Sequence, residues 1–143
     1  MMKPVSEVLH RRQGTLWHVH PDDSVFAALE LLAAHEIGAL LVMDGGRLVG
    51  VVSERDYTRK VALQGRNSRE TRVAEIMTRD VVRVPPAAPM HECMALMSEH
   101  RIRHLPVVDG STVLGMISMR DLLDELIAEQ ERTIAELEHY IQS

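Results

Sequence analysis

Apolar residues recur at helical spacing in two stretches of the chain that lie 65 positions apart. In each stretch they follow the i, i+3, i+4, i+7 pattern of an amphipathic helix. Pro21 to Ser24 supplies helix-starting residues before the first stretch. The pattern therefore predicts one helix in each half of the chain. Its stripe residues are Val25, Ala28, Leu29 and Leu32 in the first half, and Met90, Cys93, Met94 and Met97 in the second.

Short apolar runs on either side of each predicted helix are suited to strands. One run precedes the helix, and two runs joined by an Asp-Gly turn follow it. Each half is thus predicted as strand, helix, strand, strand, and then a closing helix. The predicted strands are Trp17 to Val19, Ala39 to Met43 and Leu48 to Val52 in the first half, and Val81 to Val84, Leu105 to Val108 and Val113 to Ile117 in the second.

The two closing helices differ in length. The first is predicted from Glu54 to Leu63, with a stop at Gly65 and a polar linker after it. The second, from Leu122 to Ile141, has no Gly or Pro, and apolar residues recur along it at heptad-like spacing, interrupted by Gln130. This seam predicts either a partner helix or packing against the helix's own domain. Its apolar members are Leu123, Ile127, Ile134, Leu137 and Ile141.

The two halves are copies of one unit. Of the 22 aligned pairs between His35–Asp56 and His100–Asp121, ten are identical. A period of this length predicts two small domains rather than a solenoid. Because a domain of about 60 residues is marginally stable alone, the copies are expected to pack against each other.

Composition narrows the function classes. Hydrophobic residues make up 45% of the chain and aromatic residues 3%, so aliphatic and Met side chains must fill the core. Cys93 lies on the stripe of the second helix and is expected in the core as well. A net charge of −5 argues against nucleic-acid binding. The single cysteine excludes an intramolecular disulfide, and the eight His residues show no close metal-ligand spacing, so no metal site is expected. No apolar run approaches membrane-spanning length, which predicts a soluble, cytoplasmic protein without membrane contact.

A polar Ser-x-Arg-Asp cluster ends each repeat, at Ser53 to Asp56 and at Ser118 to Asp121. The S-x-x-D pattern is typical of a helix cap, in which Ser and Asp satisfy backbone N–H groups. The same position, where a strand turns into a helix, attracts phosphate, and Arg adds bidentate phosphate recognition. A cap alone would not require Arg in both copies. Capping and ligand binding therefore both remain open at this point.

With these motifs in view, each half resembles the cystathionine-β-synthase (CBS) domain, and the pair resembles a Bateman module. The resemblance rests on Ile37 to Asp56 and His100 to Asp121, and on Ser53 to Lys60 with Glu75 to Thr78, which resemble stand-alone two-CBS proteins. It implies an α+β (α/β) fold: a tandem of β-α-β-β-α repeats in a pseudo-two-fold pair, with an extended C-terminal helix. The expected divisions are CBS domain 1 (1–65), linker (66–72), CBS domain 2 (73–126) and helical extension (127–143).

The resemblance also implies a ligand. CBS pairs commonly bind AMP, ADP, ATP, S-adenosylmethionine or sometimes NAD in clefts between the copies; AMP or ATP is expected here as a regulatory ligand, with no cofactor required. Ile37-Gly38-Ala39 is uncharged where Ile102-Arg103-His104 is not, so the two clefts are expected to differ. The implied contacts are Asp56, Asp121, Ser53 and Ser118 to ribose, Arg55, Arg120, Arg103 and His104 to phosphate, and Ile37, Gly38, Ala39, Ile102 and Thr78 around adenine.

The function implied is a non-catalytic sensor that signals to an unidentified target protein and forms a homodimer. A ligand-free interaction scaffold with vestigial clefts is the alternative. No nucleophile–base pair or P-loop is present in the sequence, so no catalytic residues and no enzymatic activity are expected.

Overall fold

Each half of the chain contains a helix, a β-hairpin and a closing helix, as the apolar pattern predicts. The computed structural model describes residues 3–11 and 16–142. A π-helical stretch, Thr58–Ala62, continues α3, and a 3-10 turn covers Val73–Glu75. In chain order the elements are α1 (Val5–Arg11), β1 (His18–Val19), α2 (Val25–His35), β2 (Ala39–Asp44), β3 (Arg47–Ser53), α3 (Glu54–Tyr57), α4 (Met90–His100), β4 (His104–Asp109), β5 (Thr112–Ser118) and α5 (Met119–Gln142).

The two hairpins have the same construction. Strand β2 pairs antiparallel with β3, and β4 pairs antiparallel with β5. Both ladders shift register after the fourth residue of their first strand, at Val42/Met43 and at Val107/Val108. The predicted Asp-Gly turns are confirmed, with Gly45 and Gly110 at φ 59° and 61°, a conformation that glycine adopts without strain. The internal repeat therefore extends to details of backbone geometry.

The opening strands of the two halves differ. His18–Val19 forms β1, parallel to β2, whereas the strand predicted at Val81 to Val84 is reduced to one bridge between Val84 and Val107. Pro85 and Pro86 follow directly. Within β4, Pro106 aligns with Leu41, whose N–H donates to the Trp17 carbonyl; because proline has no N–H, the aligned bond to Val82 cannot form.

The short segments that precede the two repeats, residues 5–9 and 73–77, are here called the lead-in segments. Each packs into the core of the other repeat. Residues Val5, Val8 and Leu9 of α1 are buried in the cluster of the second half, while Val73, Ile76 and Met77 are buried in that of the first. The exchange is tight at two aligned glycines. A Cβ on Gly50 would lie 2.9 Å from the Met77 Sδ, and one on Gly115 would lie 2.9 Å from a Leu9 methyl group.

A third, smaller cluster joins the two halves. Leu41 of the first hairpin packs with Val108 and Val113 of the second, and all three are buried. The expectation that the copies pack against each other is confirmed.

Candidate ligand clefts

Two clefts lie between the halves of the molecule, with volumes of about 510 and 460 Å³. We name each after the repeat aspartate that lines it. The larger is the Asp121 cleft, lined by Leu9, Leu16, Trp17, Glu36, Ile37, Gly38, Ala39, Leu41, Arg103, His104, Met116, Ser118, Met119, Arg120 and Asp121. The smaller is the Asp56 cleft, lined by Gly38, Ala39, Val51, Ser53, Glu54, Arg55, Asp56, Thr78, Asp80, Val81, Val82, Ile102, Arg103, His104 and Pro106.

The clefts bring together all the site residues predicted from the sequence, and both repeats contribute to each. The cluster of one repeat faces the start of the first hairpin strand of the other. Ile37 lines only the Asp121 cleft and Ile102 only the Asp56 cleft, whereas Arg103 and His104 line both. A molecule bound in either cleft therefore contacts both halves.

Both aspartates cap the helices on which they lie. Asp56 Oδ2 accepts hydrogen bonds from the Ser53 backbone N–H (2.9 Å) and hydroxyl (3.0 Å), and the Asp56 N–H donates to Ser53 Oγ. In the second repeat the Ser118 N–H donates to Asp121 Oδ2 (2.8 Å), and the Asp121 N–H donates to Ser118 Oγ (3.1 Å). The capping interpretation is thus confirmed. It does not exclude binding, because each buried, oriented carboxylate also lines a cleft.

Asp56 has further partners on its second oxygen. Lys60 Nζ donates to Asp56 Oδ1 at 2.9 Å and to the Ile76 carbonyl at 2.8 Å, and the Thr78 hydroxyl donates to Oδ1 at 3.4 Å. The carboxylate therefore accepts four hydrogen bonds, which is its usual capacity. The longest, from Thr78, is the one that a ribose hydroxyl would displace at least cost.

The position aligned with Lys60 has the opposite charge. Glu125 lies there, and Lys3 Nζ approaches its Oε1 at 2.6 Å. Each repeat thus has a lysine–carboxylate ion pair near its Ser-x-Arg-Asp cluster. In the first repeat Lys60 pairs with the cluster residue Asp56, whereas in the second Lys3 pairs with Glu125, outside the cluster. The lysine partners of Asp56 and Glu125 were not anticipated from the sequence.

The two cluster arginines differ in their contacts. Arg55 donates to the Arg101 carbonyl at 2.9 Å, which joins the first closing helix to the end of α4 in the other repeat. Arg101 has a left-handed backbone, with φ 55°, as does Glu36 at the aligned position. Arg120 is exposed and has no hydrogen bond recorded within the described part of the chain. Phosphate binding by Arg55 would compete with its contact to Arg101.

His104 lies in the wall between the clefts, beside Gly38. Burial, with a smaller contribution from the charge of Arg103, lowers the pKa of His104 to about 4. The ring is therefore neutral near pH 7. A contact of neutral His104 with phosphate would be a hydrogen bond from its ring N–H, and Arg103 is the cation of this wall.

The N-termini of the closing helices offer less to an anion than the sequence indicates. The Glu54 N–H donates to the Gly38 carbonyl (3.0 Å), and the Met119 N–H donates to the Arg103 carbonyl (2.8 Å). With the N–H of Asp56 and Asp121 bound to serine, two early N–H groups of each helix are occupied. A phosphate group in these clefts would therefore depend mainly on the arginine side chains.

Trp17 is a cleft residue that sequence reasoning missed. It lines the Asp121 cleft, is 37% exposed, and stacks on His35 with ring centroids 3.4 Å apart. The aligned residue in the Asp56 cleft is Val82. Of the two clefts, only the Asp121 cleft thus has an indole ring among its described lining residues, and His35 stacks on one face of that ring.

The described residues offer neither a metal site nor a membrane-spanning helix. Residues 3–11 and 16–142 contain no group of three or more His, Cys, Asp or Glu side chains placed to hold a metal ion. Within those residues, no helix combines the length and apolar character needed to cross a bilayer. Cys93 is buried, and burial raises its pKa to about 11, so its thiol is protonated at neutral pH.

Comparisons with known proteins agree with the fold. The model of the CBS domain matches residues 5–63 and 73–128. A solved structure of a putative signal-transduction protein with CBS domains from Burkholderia ambifaria is 49% identical, with a TM-score of 0.86, and the match covers 90% of this chain and 96% of that chain.

Two further relatives are less similar in sequence. The mitochondrial CBS domain-containing protein CBSX3 of Arabidopsis thaliana is 37% identical over 126 residues, which cover 85% of this chain; the chain spans 61% of the length of that relative. The CBS domain pair of protein MJ0100, solved with 5′-methylthioadenosine and S-adenosylmethionine, is 26% identical, with a TM-score of 0.78 over 91% of this chain and 99% of that chain.

Proposed function

We propose a function from the premise that this chain belongs to the CBS domain family, of which it contains two copies. The chain is a non-catalytic regulatory module that binds an adenosine-containing ligand between its repeats. AMP and ATP are the first candidates; ADP, NAD and S-adenosylmethionine are the others. The ligand changes the packing of the repeats, and an unidentified target protein in the cytoplasm responds to that change.

The observation that best supports this proposal is that each cleft is lined by a buried carboxylate and two arginines. Asp121 lines one cleft with Arg120 and Arg103, and Asp56 lines the other with Arg55 and Arg103. A carboxylate accepts both hydroxyls of a ribose, and a guanidinium binds phosphate in bidentate geometry. Cleft volumes near 500 Å³ are in the range of small-molecule sites.

We expect the Asp121 cleft to be the stronger adenine site because of Trp17. The exposed face of the indole offers a flat stacking surface, and stacking of a base on an aromatic side chain contributes about 1–3 kcal/mol. In the Asp56 cleft, Val82 gives a smaller, non-aromatic contact.

Signalling follows from the shared walls of the clefts. Arg55 links the two repeats through the Arg101 carbonyl in the ligand-free structure. A phosphate group that binds Arg55 breaks its hydrogen bond to this carbonyl. The other contacts of the bound ligand, which involve both repeats, favour one position of the repeats relative to each other. The resulting shift between two packing states is limited by the ligand's differential affinity for them.

Thermal unfolding of the purified chain with each candidate ligand tests the proposal. A ligand at 100 times its dissociation constant stabilises the folded state by about 2.7 kcal/mol, a readable rise in Tm. Asp121→Asn and Asp56→Asn serve as matched variants, since the amide oxygen can still accept from the capping serine. We expect a rise in Tm with at least one ligand that disappears in Asp121→Asn.

The second candidate function is a ligand-free interaction scaffold. Two observations favour it. Large apolar side chains of α5 are exposed, and both repeat aspartates already accept capping hydrogen bonds from Ser53 and Ser118. Unchanged Tm with every adenosine ligand would contradict the sensor proposal and favour the scaffold.

A further inference from the structure

The second half of α5 is exposed on all sides. Residues 130–142 are all exposed, and the family model ends at residue 128, before this segment. Along the helix one row of large apolar side chains forms what we call the seam, and none of them belongs to a hydrophobic cluster of the described residues. Its members and their exposures are Leu123 (42%), Ile127 (52%), Ile134 (55%), Leu137 (57%) and Ile141 (81%).

The seam has coiled-coil spacing. With Gln130 included, its members follow steps of four and three residues, which place isoleucine at each a position and leucine or glutamine at each d position. Ile at a with Leu at d favours two parallel strands. The side chains that hold α5 to the second repeat, Met119, Leu122 and Leu126, lie about a quarter-turn away around the helix, so the seam remains accessible.

The flanking charges discriminate between orientations. The e positions are all acidic, Asp124, Glu131 and Glu138, whereas the g positions, Leu126, Thr133 and Tyr140, are uncharged. In a parallel pair each e residue faces a g residue, so acids meet neutral side chains. In an antiparallel pair e residues face e residues, which places three pairs of like charges together. The charge pattern therefore disfavours the antiparallel arrangement.

The projecting segment also needs a partner to remain helical. Isolated helices shorter than about 12–15 residues are marginal in water, and the large apolar seam residues between 130 and 142 join none of the hydrophobic clusters of the described residues. Self-pairing stabilises the helix and buries the seam in one step.

The geometry points to a second copy of this chain as the occupant of the seam, in a parallel, in-register, two-stranded coiled coil. This inference rests on the homodimer expected from the sequence and specifies where and in which orientation the chains join. Gln130 then faces its own counterpart, a polar pair that fixes the register. The two domain pairs of the dimer lie at the same end of the coiled coil.

Cysteine cross-linking tests the orientation in the full-length chain. In a parallel pair Leu137→Cys faces itself, within the range of a disulfide, whereas in an antiparallel pair it faces residue 127, about 15 Å along the axis from its own counterpart. Glu136→Cys, on the outer face of the same turn, is the matched control. The unmodified chain is a second control, because its only cysteine, Cys93, is buried.

We expect mild oxidation to convert Leu137→Cys, but not Glu136→Cys, into a covalent dimer. A preferential disulfide between Ile127→Cys and Leu137→Cys chains would show the antiparallel arrangement and overturn the inference. Failure of Leu137→Cys to cross-link would also overturn it. In that case a dimer in sedimentation would leave the proposed homodimer standing, with another contact surface. The inference also predicts that Ile134→Ser, at an a position, raises the dissociation constant of the dimer about tenfold or more. Ala135→Ser, outside the seam, should leave that constant unchanged.

Discussion

Substitution of two aligned glycines should have unequal effects, although the sequence treats them as equivalent. Gly50 and Gly115 occupy the same position in the two hairpins, and each faces the lead-in segment of the other repeat. A Cβ on Gly50 would lie 2.9 Å from the Thr78 carbonyl oxygen as well as from Met77 Sδ. The carbonyl belongs to backbone that is held to Val51 by two hydrogen bonds, of 2.8 and 3.0 Å.

At Gly115 the obstacle is softer. An added Cβ there would meet only carbon atoms of the Leu9 side chain, the nearest at 2.9 Å. Rotation of the isobutyl group can relieve that contact, whereas relief at Gly50 requires movement of the Thr78 backbone. Overpacking costs about 1–3 kcal/mol where the surroundings cannot adjust. The entropic gain of replacing glycine by alanine, about 0.4–1 kcal/mol, applies to both variants and cancels in their difference.

We therefore expect Gly50→Ala to lower the free energy of unfolding by about 1–2 kcal/mol more than Gly115→Ala does. Urea unfolding of both variants and the wild type measures this difference, and equal m values would show that the denatured states are comparable. For a chain of this size the difference corresponds to about 3–8 °C in Tm. Equal destabilisation, or a larger loss in Gly115→Ala, would refute the account of how the lead-in segments pack.

Three further predictions concern the clefts. Burial lowers the pKa of His104 from 6.5 to about 4, so as the pH falls the unfolded chain is protonated at this residue before the folded chain. The free energy of unfolding should therefore decrease between pH 6.5 and pH 4, by at most about 3 kcal/mol from this residue. Urea unfolding at several pH values should show a smaller decrease in His104→Gln. Lys60→Met should destabilise the fold by about 1 kcal/mol in low salt and less in high salt, because Lys60 is 41% exposed; a loss independent of salt would argue against the ion pair with Asp56. Ligand binding should change the emission of Trp17, the only tryptophan, and Trp17→Val should weaken binding by about 1–3 kcal/mol while Val82→Ala does not; equal effects would argue against stacking in the Asp121 cleft.

The sequence predicted the architecture because the repeat is encoded locally. The Asp-Gly turns fix both hairpins, and the apolar stripes of α2 and α4 are buried as the helical spacing predicts. The wrong prediction at Val81 to Val84 has a different cause. Apolar β-branched residues favoured a strand, but Pro106, which aligns with Leu41, has no N–H to donate to the Val82 carbonyl as Leu41 does to that of Trp17.

Features that depend on packing between the halves were beyond the sequence. Val5, Val8 and Leu9 are apolar in the sequence, but the sequence does not show that they join the core of the second half. The approach of Lys60 to Asp56 follows helical spacing, yet its second bond to the Ile76 carbonyl depends on the exchanged lead-in. The place of Trp17 in the Asp121 cleft depends on its stacking against His35, at the far end of α2.

Isothermal titration calorimetry with AMP and ATP tests the central claim most directly, since it measures both affinity and stoichiometry. The wild type, Asp121→Asn and Asp56→Asn are titrated under the same conditions, with far-UV circular dichroism to verify that each variant is folded. We predict saturable binding to the wild type that is lost or strongly weakened in Asp121→Asn and retained at one site per chain in Asp56→Asn. Binding of equal affinity and stoichiometry in all three proteins, or no binding of either nucleotide to the wild type, would contradict the account.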